Sequence, residues 1–217
     1  MKAAPGRPPA LPLAKEGYPF ILAPLGLCLL ALALDWPLVA VAALGLATFF
    51  GYFFRDPERQ PPADDQVVVA PADGRVIRVD RVTDEDVGPA WRVATFMNIF
   101  DVHVNRAPAA GTVLLSRHFP GRFLAAFKEE ADTSNERQVT LLEVAPERRL
   151  KIIQIAGLLA RRIITRVKPG DHLEKGQRIG MICFGSRVDL YLPATCEIIT
   201  HKGDHLTAGT TPVARWR

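Results

Sequence analysis

"RQVTLLEVAPERRLKIIQIAG", residues 137–157, decides how the larger part of this chain folds. Two runs rich in Val, Leu, Ile and Thr, "RQVTLLEV" and "RLKIIQIAG", share the polar turn "APER" between them, the pattern of an antiparallel hairpin. Working outward, β-type runs recur between turn signals: "VVVAPADGRVIRV", "WRVATFMNIF" and "GTVLLS" before the hairpin, "RVDLYLP" after it. One stretch, "GRFLAAFKEEAD" at 121–132, reads as helix. Residues 67–217 are therefore expected to form a mainly β domain with minor α, a compact antiparallel β barrel or sandwich.

Gly-Asp-His-Leu occurs twice, in "KPGDHLEKGQ" (168–177) and "HKGDHLTAG" (201–209). Glycine allows positive φ and aspartate bonds the local backbone, so the copies should be equivalent turns feeding strands. The first copy is similar to the turn-and-strand pattern of biotinyl and lipoyl domains, which have a barrel-sandwich-hybrid architecture. A carrier of that kind needs an isolated lysine at an exposed hairpin tip, and this chain offers none there. The likeness is one of fold, not of function. His172 and His205 sit in these turns, where exposure is the expectation and metal ligation is not.

The N-terminal quarter is different in kind. After a polar segment, 1–17, come two apolar runs of 17 residues within 18–54, "YPFILAPLGLCLLALAL" and "LVAVAALGLATFFGYFF", split by Asp35-Trp36-Pro37. Each reaches about 26 Å as a helix, at the lower edge of a bilayer span. A hydrophobic helical hairpin that enters or crosses a membrane is expected. Lys2, Arg7 and Lys15 precede it and Arg55 and Arg59 follow it, which places both ends on the cytoplasmic face of the cell membrane. "RDPERQPPADDQ", 55–66, reads as a linker. The net charge of +4 suits an anionic membrane surface, and no nucleic-acid-binding signature accompanies it. Three cysteines without CxxC spacing imply a reducing compartment and no zinc site.

The chemistry is expected in "CFGSRVDLYLP", 183–193, where Gly185-Ser186 interrupts an apolar, strand-like run. A serine that follows glycine can swing its hydroxyl onto the glycine carbonyl carbon, since no Cβ blocks the approach. Attack gives an ester; elimination and hydrolysis then convert the serine into a pyruvoyl group and ammonia. Such a step needs a base, an oxyanion donor and a strained peptide. Asp73 in "APADG" and His103 in "FDVHVNRAP" could complete a Ser/His/Asp set. Taken alone, Asp73 reads more simply as a plain Asp-Gly turn, and His103 as a half-buried strand histidine.

The ordered set "FFRDP", "APADG", "FMNIFDVHVNRAP", "HFPGRFLAAF", "SNERQ", "IAGLLARRI" and "GDHLEKGQRIGMICFGSRVDLYLP" resembles the short bacterial and archaeal branch of the phosphatidylserine decarboxylases. The resemblance implies a proenzyme that cuts itself at Gly185-Ser186 into a β chain, 1–185, and an α chain, 186–217, headed by a pyruvoyl group made from Ser186. It implies Asp73, His103 and Ser186 as the catalytic set. It also implies a Schiff base with phosphatidylserine that releases phosphatidylethanolamine, with neither metal nor pyridoxal phosphate. Partners are then the lipid and the two chains, and a homo-oligomer is compatible with this. The long branch carries a second histidine where this chain has Arg106. Either His103 then serves both maturation and decarboxylation, or Arg106 takes a carboxylate-binding role; Arg187 is expected to meet either a substrate phosphate or carboxylate or else solvent. Arg55, Arg59 and Arg122 are expected near the lipid-facing mouth. Two other functions fit the residues alone: a membrane-anchored serine hydrolase using Ser186, His103 and Asp73, or a non-catalytic lipoyl-like membrane module.

Overall fold

The computed structural model describes residues 12–127, 130–158, 162–183 and 185–217, and the chain divides into two units after Glu58. In the first, α1 (Tyr18–Ala33) and α2 (Pro37–Phe53) form a hairpin. Pro19 and Pro37 occupy the first turns, where a missing N–H costs nothing. Asp35 turns the chain with φ +57°, a conformation its short polar side chain tolerates. The helices meet through Cys28, Ala31, Ala40 and Ala43, small residues that let the backbones approach closely. Leu22, Leu29, Leu38 and Val41 point outward and stay exposed. Lys15–Ala33 is long and apolar enough to cross a bilayer; α2, at 17 residues, is shorter.

The second unit, Arg59–Arg217, is built from strands. An eight-stranded antiparallel sheet runs β13 (His205–Leu206), β2 (Gly74–Asp84), β3 (Gly88–Met97), β11 (Ser186–Pro193), β7 (Arg148–Ile155), β6 (Arg137–Ala145), β5 (Gly111–Phe119) and β9 (His172–Leu173). It curls into a half-barrel, as the composition and turn pattern lead one to expect. Two smaller sheets complete the unit: β4 (Val104–Arg106), β10 (Arg178–Ile182) and β8 (Ile163–Thr165), and β1 (Val67–Val69), β14 (Pro212–Arg215) and β12 (Glu197–Ile198). The hairpin read from sequence is β6–β7, with Leu142 facing Leu150 and Glu147 turning at φ +63°. Five consecutive residues are buried at the start of β11, because the curled sheet is covered on both faces and alternation disappears.

The two Gly-Asp-His-Leu copies form the opposite edges of this sheet, as β9 and β13. Gly170 and Gly203 both take positive φ (+90° and +103°). Their N–H groups donate to Val113 O and Val76 O, each at 2.8 Å, and Leu173 and Leu206 are both buried. The likeness extends further than the tetrapeptide. "APADG" at 70–74 matches "APAAG" at 107–111. Val69 N–H donates to Pro108 O and Arg106 N–H to Pro71 O, both at 2.9 Å. The unit is thus two similar halves joined reciprocally. They differ where Asp73 stands opposite Ala110.

The helix expected over 121–132 is corrected: α3 covers only Ala131–Ser134, residues 121–127 are not helical, and 128–129 lie outside the described residues. Asn135 explains the difference. Its fully buried amide accepts from Leu124 N–H (3.0 Å) and donates to Leu124 O (2.8 Å) and Ala156 O (2.7 Å), so the chain's polar groups are satisfied outside a helix. Asn135→Ala is expected to lower stability by about 2 kcal/mol, measured by urea unfolding. A loss below a few tenths would show that water replaces the amide. Residues 59–66 of the expected linker belong to the β unit, tied in by Arg59 on Asp73 and by Lys175 Nζ on Asp64 O (2.7 Å).

Candidate active site

Ser186 opens β11, the strand held between β3 and β7 near the middle of the large sheet. The chain reaches it from β10 through residues 183–185, of which Phe184 is outside the described residues. Gly185 takes φ +61°, where a side chain would be strained. Ser186 is fully buried, and its Oγ has no hydrogen-bond partner among the described residues. An orphan buried hydroxyl costs about 1–3 kcal/mol, so it calls for a reason.

The carbonyl beside it is held by a close approach. A Cβ added to Gly157, two residues past β7, would stand 1.6 Å from Gly185 O and 2.8 Å from its carbon. The Gly185 carbonyl therefore packs on the bare Cα of Gly157. Sequence reasoning missed Gly157. Its place in "IAGLLARRI" was legible, but the strand that lies over it was not.

His103 precedes β4 and is fully buried. Its Nδ1 lies 2.9 Å from Asp101 O; a carbonyl only accepts, so Nδ1 carries the proton and Nε2 is the basic nitrogen of the neutral ring. Asp73 lies in the turn before β2. Its carboxylate takes both terminal nitrogens of Arg59 and the Ala208 N–H (2.8 Å). The plain-turn reading of Asp73 is weakened by the other half of the unit, where Ala110 builds the corresponding turn without a carboxylate.

Met97 is contacted by Ser186 itself and by a neighbour of each of the other two residues. It is the ladder partner of Ser186. A Cβ on Gly74, next to Asp73, would be 3.2 Å from Met97 Cα. Asn105, two residues beyond His103, donates to Met97 Sδ at 3.5 Å and accepts from Gln154 Nε2 at 2.8 Å. Met97 is thus touched by Ser186, by Gly74 beside Asp73 and by Asn105 two residues past His103, and Ser186 Oγ is hydrogen-bonded to neither Asp73 nor His103. Met97 and Gln154 carried no signal in the sequence.

The two arginines expected at the substrate are both buried. Arg106 is buried, donates to Gly176 O at 2.9 Å and packs against Gly209, joining loops of the two halves. Arg187 is fully buried, not at a solvent-facing edge. Its Nε and Nη2 hold the two oxygens of Asp189 (2.8 and 2.9 Å), Nη1 donates to Ala126 O (2.9 Å), and Nη2 also binds Asp132. Asp132 in turn takes Arg78 (3.0 Å) and Arg92 (2.9 Å). Burial opposes charge on Asp132, yet the hydrogen bond and charge of Arg187, with Arg78 and Arg92, hold its carboxyl below the usual range. Burial pushes Asp189 up to about 6 against the pull of Arg187. Arg59, expected near the lipid-facing mouth, pairs with Asp73 and donates to Ala208 O at 2.9 Å.

A family model described as phosphatidylserine decarboxylase matches residues 46–214. Relatives named phosphatidylserine decarboxylase proenzyme agree with it over nearly their whole length. That of Symbiobacterium thermophilum is 46% identical over 205 residues, covering 94% of this chain and 95% of its own. That of Nitratidesulfovibrio vulgaris is 48% identical over 216 residues, covering 96% and 97%. That of Gluconacetobacter diazotrophicus is 45% identical over 205 residues, covering 91% of each.

Proposed function

The chain belongs to the phosphatidylserine decarboxylase family and is a carboxy-lyase by that membership, and from this premise we propose that it cuts itself at Gly185-Ser186 and then converts phosphatidylserine to phosphatidylethanolamine and carbon dioxide. The observation that carries the proposal is Ser186 Oγ: buried, unpartnered, and beside a carbonyl wedged on Gly157. Oγ bonds to the Gly185 carbonyl carbon, the C–N bond to Ser186 breaks, and the freed amine takes the hydroxyl proton. Removal of the Ser186 α-proton then expels the Gly185 carboxylate and leaves a Cα=Cβ double bond. Water adds to the imine tautomer and ammonia leaves, so one water enters and one ammonia departs. His103, basic at Nε2, is assigned the α-proton, and Asp73, paired with Arg59, is assigned the carboxylate of the set.

The residues present fit a pyruvoyl group, because the serine that would become it is held at the start of a central strand, away from bulk water. When formed, that group supplies a ketone that accepts the electrons of the breaking carbon–carbon bond. His103 is then assigned the return of a proton to the substrate α-carbon. After cutting, residues 186–193 keep their ladders to β3 and β7, which supports a lasting complex of the two chains.

Against a serine hydrolase working on outside esters stand the relatives, which are named phosphatidylserine decarboxylase proenzymes. A non-catalytic module gives no reason for the orphan hydroxyl. Extracting a diacyl lipid costs about 0.8 kcal/mol per exposed methylene, so the apolar hairpin is assigned to the membrane, on its cytoplasmic face by the flanking arginines.

Intact mass of the purified full chain tests the proposal. Two fragments are expected, of 185 and 32 residues (217 − 185), the smaller one lighter by one ammonia than a serine-headed peptide. Folded, lipid-converting protein with a single uncut mass would overturn it.

A further inference from the structure

A buried Ser186 must be reached by a lipid headgroup, and the surface around it is unusual. Among the described residues of 59–217, three large apolar side chains are more than half exposed: Phe100 (62%), Phe127 (59%) and Leu158 (65%). All three lie within three residues of a group that contacts Gly157, Ser186 or Arg187. Leu158 follows Gly157, on which the Gly185 carbonyl rests. Phe127 follows Ala126, whose carbonyl takes Arg187 and whose Cβ would lie 3.4 Å from a Cβ on Gly157. Phe100 comes three residues after Met97, the ladder partner of Ser186.

This rim is built, not loose. The Phe127 ring stands edge-on to Phe96 at 6.1 Å, and Phe96 is the ladder partner of Arg187. The Asn135 amide ties the limb leading to Phe127 to the limb leading to Leu158, through Leu124 and Ala156. Exposed arginines stand beside it. Arg75 is the other ladder partner of Phe96, Arg122 N–H bonds to Ser134 O at 2.7 Å, and Arg162 O accepts from Cys183 N–H at 3.4 Å.

We propose that Phe100, Phe127 and Leu158, flanked by Arg75, Arg122 and Arg162, form a docking rim that seats the mouth of the Ser186 site on an anionic bilayer. Two features select a bilayer over a second copy of the chain. Three partly exposed side chains offer on the order of 350 Å², well short of the roughly 800 Å² per partner of a stable protein interface. The exposed Arg75, Arg122 and Arg162 also supply the positive charge that an anionic surface requires, outnumbering the exposed Glu130 near Phe127. The proposal rests on the function given above and adds the surface through which the substrate arrives.

The test uses the full chain. Phe127→Trp adds a reporter above the background of Trp36, Trp91 and Trp216. On vesicles of phosphatidylserine and phosphatidylcholine with brominated acyl chains, the added emission should fall by about half, while non-brominated vesicles leave it unchanged. Absence of added quenching overturns the proposal, and a change of oligomeric mass in its place would assign the rim to a second copy. Phe127→Ser with Leu158→Ser should lower kcat/KM on vesicles about tenfold, against less than twofold on monomeric dihexanoyl phosphatidylserine. Equal losses on both substrates also overturn it, with normal self-cleavage on a denaturing gel certifying the fold. A chain that turns over neither substrate defeats the proposed function, whereas quenching judges the rim without any turnover.

Discussion

Gly157→Ala should arrest self-cleavage at Gly185-Ser186 while the β unit still folds. The added methyl would fall 1.6 Å from Gly185 O, inside any permitted contact, so the carbonyl must move by more than an ångström. A shift of that size at a reacting centre costs about 10²-fold in rate. The stability penalty of one extra methyl is smaller, about 1–3 kcal/mol. The expected outcome on a denaturing gel is a chain that stays at 217 residues, as Ser186→Ala would, with a circular dichroism spectrum like that of the unsubstituted protein. Cleavage at the original rate would show that Gly157 does not set the carbonyl, and the attack geometry proposed here would fall with it.

Arg187→Met should be the most destabilising single change. It leaves Asp189 buried and uncompensated, and removing one partner of such a pair costs about 3–5 kcal/mol. The loss should also depend on pH. Burial already raises Asp189 to about 6, above its ordinary 3.8, so its contribution is greatest below pH 3.8 and is lost as pH rises through 6. Without Arg187 that carboxyl rises further, and the window of loss extends toward neutrality. Asp132 behaves oppositely: its lowered carboxyl contributes above 3.8 and is lost as pH falls below that. Urea unfolding at pH 5 and pH 8 should find Arg187→Met closer to the unsubstituted protein at pH 5. Arg187→Lys should recover part of the loss, since lysine keeps the charge without the planar fork. An equal, small loss at both values would mean that water reaches Asp189 and the network is not closed.

Both changes lie beside Ser186, yet they separate two requirements. Gly157 concerns where the carbonyl is before the bond breaks. Arg187 concerns whether the strand that begins at Ser186 is held, and it would sit in the α chain while Asp132 and Ala126 stay in the β chain. The ion network is then one of the links across the cut, alongside the ladders of β11 with β3 and β7.

Much of this was legible in the residues alone. Apolar runs of 17 residues around Asp35-Trp36-Pro37 announced the helical hairpin, because helix length and hydropathy are local properties. The β6–β7 hairpin followed from two β-type runs and a polar turn, and the Gly-Asp-His-Leu repeat from identical spacing. The motif order pointed to the family that the comparisons bear out. The helix expected over 121–132 failed for a physical reason: its composition suits a helix, but Asn135, from beyond the segment, supplies hydrogen bonds that compete with one.

What tertiary structure alone decided is which distant residues touch. Gly157 and Gly185 are separated by 28 positions (185 − 157), and no periodicity reports that one rests on the other. Arg187 looked like an edge residue until the curled sheet covered both faces of β11 and closed Asp189 and Asp132 around it. Asp73 is tied by Arg59 and by the Ala208 N–H, partners that the turn sequence around it does not reveal. Local pattern encodes each element and the side chains it carries; burial and charge pairing arise only when elements far apart in the chain close on one another.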